Sequence, residues 1–314
     1  GLAMGEVKYE DVKHIQFEGH DFNEAGTHYG ASFPIGKAVD PLGDCLLAYE
    51  MNDEDVPRDH GYPVRALVPG HTGCKQCKWL AKIIVSGEES TKAWHVKSYR
   101  GFAPDIDFDA LSTWGHKDTK LRLDQAPICQ SMPVQSMVMN PPPNTTLAGN
   151  LDTVKLKGCA WSGGGRGIAR VDVSIDGGKH FTAAELSKPI TQTRNHEWGW
   201  FQFEEDVVIP AEMKEQLNRG QKVVLEAVSK AVTNDFDVQP QENADAFYSG
   251  RGVVVNHWYR VPITIDPKAK ADLPPPDDGS RDWFGNKFTN KPSGGFYHVP
   301  WQHEPLPADW RPPQ

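Results

Sequence analysis

No stretch of this chain stays apolar for the roughly 18 residues that a membrane-spanning helix requires, so nothing in it reads as a membrane span. Cysteine is scarce: Cys45, Cys74, Cys77, Cys129 and Cys159 are five in all, odd in number and irregular in spacing. That argues against a disulfide scaffold and leaves the redox compartment open. An excess of positive charge is missing too. With 33 Lys and Arg against 42 Asp and Glu the formal net charge is −9, which argues against non-specific binding to nucleic acid or anionic lipid. Any anion must be captured by a local basic cluster. Fixed-period repeats are absent, and the opening "GLAMGEVKYEDVKHIQFEGHD" is too polar for a secretory signal.

What is present is enough for a globular interior. The 314 residues include 10 Trp and 13 Phe, and 38% are hydrophobic, which predicts two domains with appendages. Residues 1 to about 128 alternate short apolar runs, "DCLLAYEM", "VRALVP" and "KWLAKIIV", with Gly, Pro and Asp. These read as short strands joined by long loops, with little helical periodicity. At "NPPPNTTLAGN", residues 140–150, turn formers take over, and a domain boundary is expected nearby. Beyond it, "TVKLKGCAWSGGGRGIARVDVSIDGGKHFTAAEL" alternates apolar and polar residues between Gly-rich turns, the pattern of an antiparallel sandwich. "WGWFQFEEDVVIP", "QKVVLEAVSKAV" and "HWYRVPITI" supply further strands. From Asp266 the chain turns rich in Pro and Gly and cannot build a core, so it is a disordered tail or an arm laid on another surface.

The segment "RDHGYPVRALVPGHTGCKQCKW", residues 58–79, concentrates the chemistry. Cys74 and Cys77 have the spacing of a zinc or redox pair. A structural zinc site needs four ligands, however, and beyond His71 no fourth is evident; a thioredoxin-type pair would open a helix, whereas a strand pattern follows. Ordinary loop side chains are the simpler reading. An anion site is the stronger functional one: His60, Arg65, Lys75 and Lys78 can converge within a Gly/Pro-rich fold-back on one phosphate. "WSGGGRG", residues 161–167, lacks the Gly-Lys-Ser/Thr ending of a phosphate loop and reads as a hairpin turn carrying Arg166.

Taken in order, "FEGHDFNEAGTHYGASFPIGKAVDP", "LLAYEMN", "PRDHGYPVRALVPG", "KWLAKI", "YRGFAP", "PVQSM", "GCAWSGGGRGIARVDVSIDGGKHF", "VQPQ" and "RGVVVNHWYRV" resemble the eukaryotic sulfite oxidases over residues 17–265. The resemblance implies an α+β, mostly β chain. Residues 1–128 would be the C-terminal part of a molybdopterin-binding domain, 129–265 an immunoglobulin-like dimerisation sandwich, and 266–314 an extended Pro-rich tail. It implies molybdopterin with molybdenum as cofactor, held by Asp21, His60, Arg65, Gln76, Cys77 and Lys78. It implies sulfite as substrate, with Tyr99 and Arg251 beside it. Nitrate reductases on the same scaffold typically carry Met at the last position, so Arg251 favours sulfite.

The resemblance has departures. None of the five cysteines sits in the context of the family's molybdenum ligand, and "FYSGRG" stands where the family has "WNLRG". Two readings follow. In one, this is a split or partial sulfite oxidase, and a second polypeptide supplies the catalytic half. In the other, it is an inactive accessory subunit of a larger assembly, docked through the sandwich and through Trp283, Trp301 and Trp310 of the tail. An acidic chain suits a basic electron carrier such as cytochrome c. The family further implies a homodimer and, since "RPPQ" is no peroxisomal signal, a mitochondrial location, in the intermembrane space.

Overall fold

Alternating burial along short extended segments, rather than helix periodicity, sets the architecture. The computed structural model describes residues 9–22, 26–103, 126–187, 192–242 and 252–273. In the first region, β1 (His14–Phe22) lies between β2 (His28–Pro34) and β7 (Leu80–Ser86) in a three-stranded antiparallel sheet. Phe17 faces Ala31 on one side and Ile83 on the other. Its ring meets Phe33 at 5.4 Å, and the pair is buried with Ala66, Val68 and Cys77. Burying each such aromatic is worth roughly 1.5–3 kcal/mol.

Between β2 and β7 the chain forms α1 (Ile35–Val39), β3 (Leu46–Ala48), β4 (Glu50–Met51), β5 (Glu54–Asp55) and β6 (Arg65–Leu67). Asn52 and Asp53, both at positive φ, make the two-residue turn between β4 and β5, a place where short polar side chains tolerate the left-handed region. The runs expected to be strands in this half each contain one.

The second region holds two sheets. One has the order β13 (Glu185–Ser187), β14 (Phe201–Val208), β10 (Thr153–Trp161), β8 (Gln135–Asn140); the other runs β12 (Thr182–Ala183), β11 (Ile168–Ser174), β15 (Val223–Thr233), β16 (Val261–Asp266), β9 (Thr145–Ala148). Along β10, Val154, Leu156 and Ala160 turn inward while Lys155 and Lys157 stay exposed. The inner faces of both sheets, with Leu217 of α2 (Ala211–Asn218), share one core. Ser136 Oγ donates to Gln239 Oε1 at 2.6 Å within it, so this buried hydroxyl is satisfied.

Three expectations change. The glycine run at 161–167 is not a hairpin turn: β10 and β11 belong to different sheets, so it is a corner between them. Gly165 and Gly167 take positive φ there, and a Cβ on Gly165 would stand 2.6 Å from Trp198. The proline-rich stretch at 140–150 separates no domains, because β8 before it already pairs with β10; it carries the chain from one sheet to the other, where proline's missing N–H is harmless. The start of the tail also pairs back onto β9, with Thr146 N–H donating to Leu273 O at 2.9 Å and Leu273 N–H to Thr146 O at 2.7 Å. Arg251, the "FYSGRG" stretch up to it, and Trp283, Trp301 and Trp310 lie outside the described residues.

Candidate functional site

Residues 76–80 are threaded between the end of β1 and β6. His20 N–H donates to Trp79 O (2.9 Å), Ala66 N–H to Cys77 O (2.8 Å) and Leu80 N–H to Val64 O (2.9 Å). The Gln76 carboxamide pins the loop, accepting from Val68 N–H at 2.7 Å and donating to Val68 O and His71 O at 2.8 and 3.2 Å. Against this segment lies the turn Arg58–His60, closed by Gly61 at φ 111, where a Cβ would come within 3.0 Å of Lys78 Cα. Lys78 Nζ donates to Asp59 O (2.9 Å), Trp79 Nε1 to Arg58 O (2.9 Å) and Arg65 Nη1 to His60 O (3.0 Å). The fold therefore brings His60, Arg65 and Lys78 around one turn.

Several buried polar atoms here have no partner among the described residues: Asp21 Oδ1, Arg65 Nε and, on the adjoining strand, His28 Nδ1. Burial raises the Asp21 carboxyl above its ordinary pKa, with its own backbone N–H, Lys78, His28 and His20 acting against the rise. Both groups act on Cys77: burial pushes its thiol up to about 12, Asp21 adds to the rise and Arg65 opposes it. An acceptor and a donor withdrawn from water without partners each cost free energy. A ligand offering N–H groups to Asp21 and an anionic oxygen to Arg65 satisfies both. A pterin bearing a phosphate has that donor and acceptor set, so the residues present fit such a group.

Tyr99 reaches the same neighbourhood through aromatic contacts. Its ring stacks on Trp94 at 6.2 Å, and Trp94 meets Tyr29 at 6.4 Å. Tyr29 Oη donates to Cys74 O at 2.5 Å, tying the aromatics to the 73–78 loop. Burial drives the Tyr29 hydroxyl far above its ordinary pKa, so it stays a donor. Arg100 holds the segment in place, with Nε on Val96 O at 2.6 Å and Nη1 on Ala126 O at 2.5 Å.

Lys75 does not join the basic cluster. The turn Gly73–Lys75 aims it inward, opposite to Lys78, and its Nζ lies 3.0 Å from His95 Nδ1. Gln76 spends its side chain on its own loop, the Cys77 side chain is core, and their backbone N–H groups donate to Gly73 O and Lys75 O at 3.1 Å each, so these two shape the loop rather than offer donors to a ligand. Cys74 and Cys77 are both free and buried, with Cys74 Sγ 3.0 Å from Thr72 Oγ1. Among the described residues no three His, Cys, Asp or Glu side chains gather as a metal site. Tyr29, Arg100 and Trp79 were not singled out by the sequence. Tyr29 lies in the quoted "GTHYGAS" and Arg100 in "YRGFAP", but nothing in the spacing marks their contacts; Trp79, at φ 48, is visible only in the backbone.

Both regions match known protein families. The family model of the oxidoreductase molybdopterin binding domain matches residues 2–94, and that of the Mo-co oxidoreductase dimerisation domain matches 126–266. Mitochondrial sulfite oxidase of Rattus norvegicus is 40% identical over 258 residues, which are 82% of this chain and 43% of the rat protein. Sulfite oxidase of Arabidopsis thaliana is 35% identical over 263 residues, 81% of this chain and 60% of the plant protein. The chain thus spans less than two thirds of either relative. Among solved structures, the sulfane dehydrogenase SoxCD of Paracoccus pantotrophus aligns with TM-score 0.55 at 25% identity, covering 80% of this chain and 54% of that one.

Proposed function

The chain belongs to the eukaryotic sulfite oxidase family, and from that premise we propose that it forms the cofactor cradle and the dimerisation region of an oxidoreductase that converts sulfite to sulfate. Molybdopterin, when bound, supplies the molybdenum redox chemistry. The chain's own residues bind and orient. Asp21 accepts from pterin N–H groups; His60, Arg65 and Lys78 pair with the phosphate; Gln76 and Cys77 hold the loop that presents Lys78. The Tyr99 hydroxyl and Arg251 orient the sulfite dianion, a charge that needs a fixed positive partner once water is excluded. For Arg251, outside the described residues, the support is its motif alone.

The observation that carries this reading is the pair of buried atoms without a partner among the described residues, Asp21 Oδ1 and Arg65 Nε, whose groups both act on the Cys77 thiol. Around it we place a cradle within residues 1–128, an immunoglobulin-like sandwich over 129–265 that pairs two copies, and a tail from 266. Cytochrome c is the acceptor that suits an acidic chain, and the mitochondrial intermembrane space is the location we assign, the rat relative being named a mitochondrial protein. A metal-ligating thiolate is supplied by polypeptide beyond these residues, for none of Cys45, Cys74, Cys77, Cys129 and Cys159 sits in the context of the family's molybdenum ligand.

That missing ligand context also supports a second reading, an inactive accessory subunit of a larger assembly. Sulfite-dependent reduction of cytochrome c by the natively purified protein with its associated chains separates the two. The first reading expects turnover that falls in Tyr99→Phe. An intact assembly without turnover, with or without bound pterin, favours the second.

A further inference from the structure

A cavity of about 340 Å³ opens where the two regions meet, lined by Lys37, His71, Arg166, Asn195 and Trp198 among others. The junction is built by backbone: Thr72 N–H donates to Gln130 O, Met132 N–H to Gly70 O and Gly163 N–H to Met132 O, at 2.8, 2.8 and 3.0 Å. None of the cradle residues Asp21, His60, Arg65, Lys78 or Tyr99 lines it.

The lining is cationic and under-compensated. Lys37 Nζ lies 4.2 Å from the Trp198 ring centroid, and among the described residues no carboxylate comes within 4.0 Å of it. Burial lowers the Lys37 pKa, with Cys45, Asp40 and Asp44 acting against that. Of the two nearby acids, Asp40 lines the cavity and its Oδ1 accepts from Leu42 N–H at 2.9 Å, while Asp44 Oδ2 accepts from His196 and Trp198; the lining cations Lys37 and Arg166 outnumber that one carboxylate. Arg166 uses Nε on Asp235 at 3.5 Å, and its Nη nitrogens make no hydrogen bond among the described residues. His71 Nδ1 is buried with no partner among the described residues. Gly164 faces open space, since a Cβ there would meet nothing nearer than 3.9 Å.

We propose that this cavity is a second ligand site, distinct from the cofactor cradle, that takes a small divalent oxyanion of the sulfate class between Lys37 and Arg166. Two cations on one wall, Lys37 half-buried and Arg166 exposed, suit a dianion, whose two charges match the two of them. Such a ligand bridges both regions and stabilises their docking by mass action. The inference rests on the cavity's own residues and not on the redox reading.

The test is thermal unfolding of the full chain in sodium sulfate against sodium chloride of equal ionic strength, in wild type, Lys37→Gln, Arg166→Gln and Lys78→Gln. Sulfate stabilises proteins generally through exclusion from their surface, so the readout is saturation and its dependence on residue. A saturable rise in Tm is expected in wild type and Lys78→Gln, with half-saturation moved about tenfold or more upward in the two cavity variants, a shift of about 1.4 kcal/mol in binding. If those variants fold poorly, a saturable fluorescence change in wild type that vanishes in Trp198→Phe carries the same test. A non-saturating rise shared by all variants overturns the proposal. So does a response lost in Lys78→Gln and kept in Lys37→Gln, which would place the anion in the cradle. An unloaded or inactive protein leaves the result readable, so failure of the redox reading is separately visible.

Discussion

Lys75 Nζ lies 3.0 Å from His95 Nδ1, and both side chains are fully withdrawn from solvent. A cation beside a neutral imidazole has no counter-charge in contact. Desolvation therefore lowers Lys75 from 10.5 to about 8 and His95 from 6.5 to about 3. His95 keeps a second contact, 3.0 Å from Ser32 Oγ. The pair sits under the loop that presents residues 76–78, so its protonation affects how firmly that loop is held.

Between pH 8 and 10.5 the folded chain binds fewer protons at Lys75 than the unfolded chain, so stability rises with pH across that window and is lost as pH falls through the folded value. Lys75→Met removes the buried charge. It is predicted to raise unfolding stability at pH 7 by on the order of 3 kcal/mol and to flatten the rise above pH 8, as read from urea denaturation at several pH values. A variant less stable than wild type at pH 7 would show that the ammonium is needed where it is.

His95 and His71 act in the same sense at lower pH. Burial holds them at about 3 and about 4, so the stability they contribute is complete above 6.5 and lost as pH falls toward those values. Acid unfolding should begin below pH 6.5, and His95→Gln should move its onset lower. An unchanged onset would remove His95 from the account.

Asp44 links the two regions, accepting from Trp198 Nε1 at 2.6 Å and from His196 Nδ1. Those hydrogen bonds hold its carboxyl below the usual range, so the link persists above the ordinary carboxylate pKa and fails as pH falls through the lowered one. Asp44→Ala is predicted to split one unfolding transition into two, as calorimetry would show. A single transition at an unchanged midpoint would mean that the backbone bridges alone couple the regions.

Gly70 sits at φ +74, where a Cβ would stand 2.1 Å from Gly163 O. Gly70→Ala adds a steric clash to a strained backbone and is predicted to cost about 2 kcal/mol or more. Gly73, whose Cβ would meet nothing within 4 Å, is the control, and equal effects at both positions would contradict the packing described.

Local pattern made much of this legible. The alternation in "TVKLKGCAW" is the burial alternation of β10, and "KWLAKIIV" contains β7, because side-chain period alone decides which face a strand residue occupies. His60, Arg65 and Lys78 were legible as a cluster because the turn that gathers them is local. Lys75 was not. A one-residue step within the Gly73–Lys75 turn reverses the direction of a side chain, and neither composition nor spacing records that. The cavity at Lys37 and Arg166 was invisible for a different reason: its walls are far apart in sequence and meet only when the regions dock.

The most direct test of the central claim is molybdenum and pterin content of the natively purified protein, by elemental mass spectrometry and fluorescence of the oxidised pterin, in wild type, Asp21→Asn and Arg65→Gln. The cradle described here predicts both in wild type and a loss of about tenfold or more in each variant, since removing one orienting partner typically costs that much. Folded wild type free of both, or variants that retain as much as wild type, would contradict it.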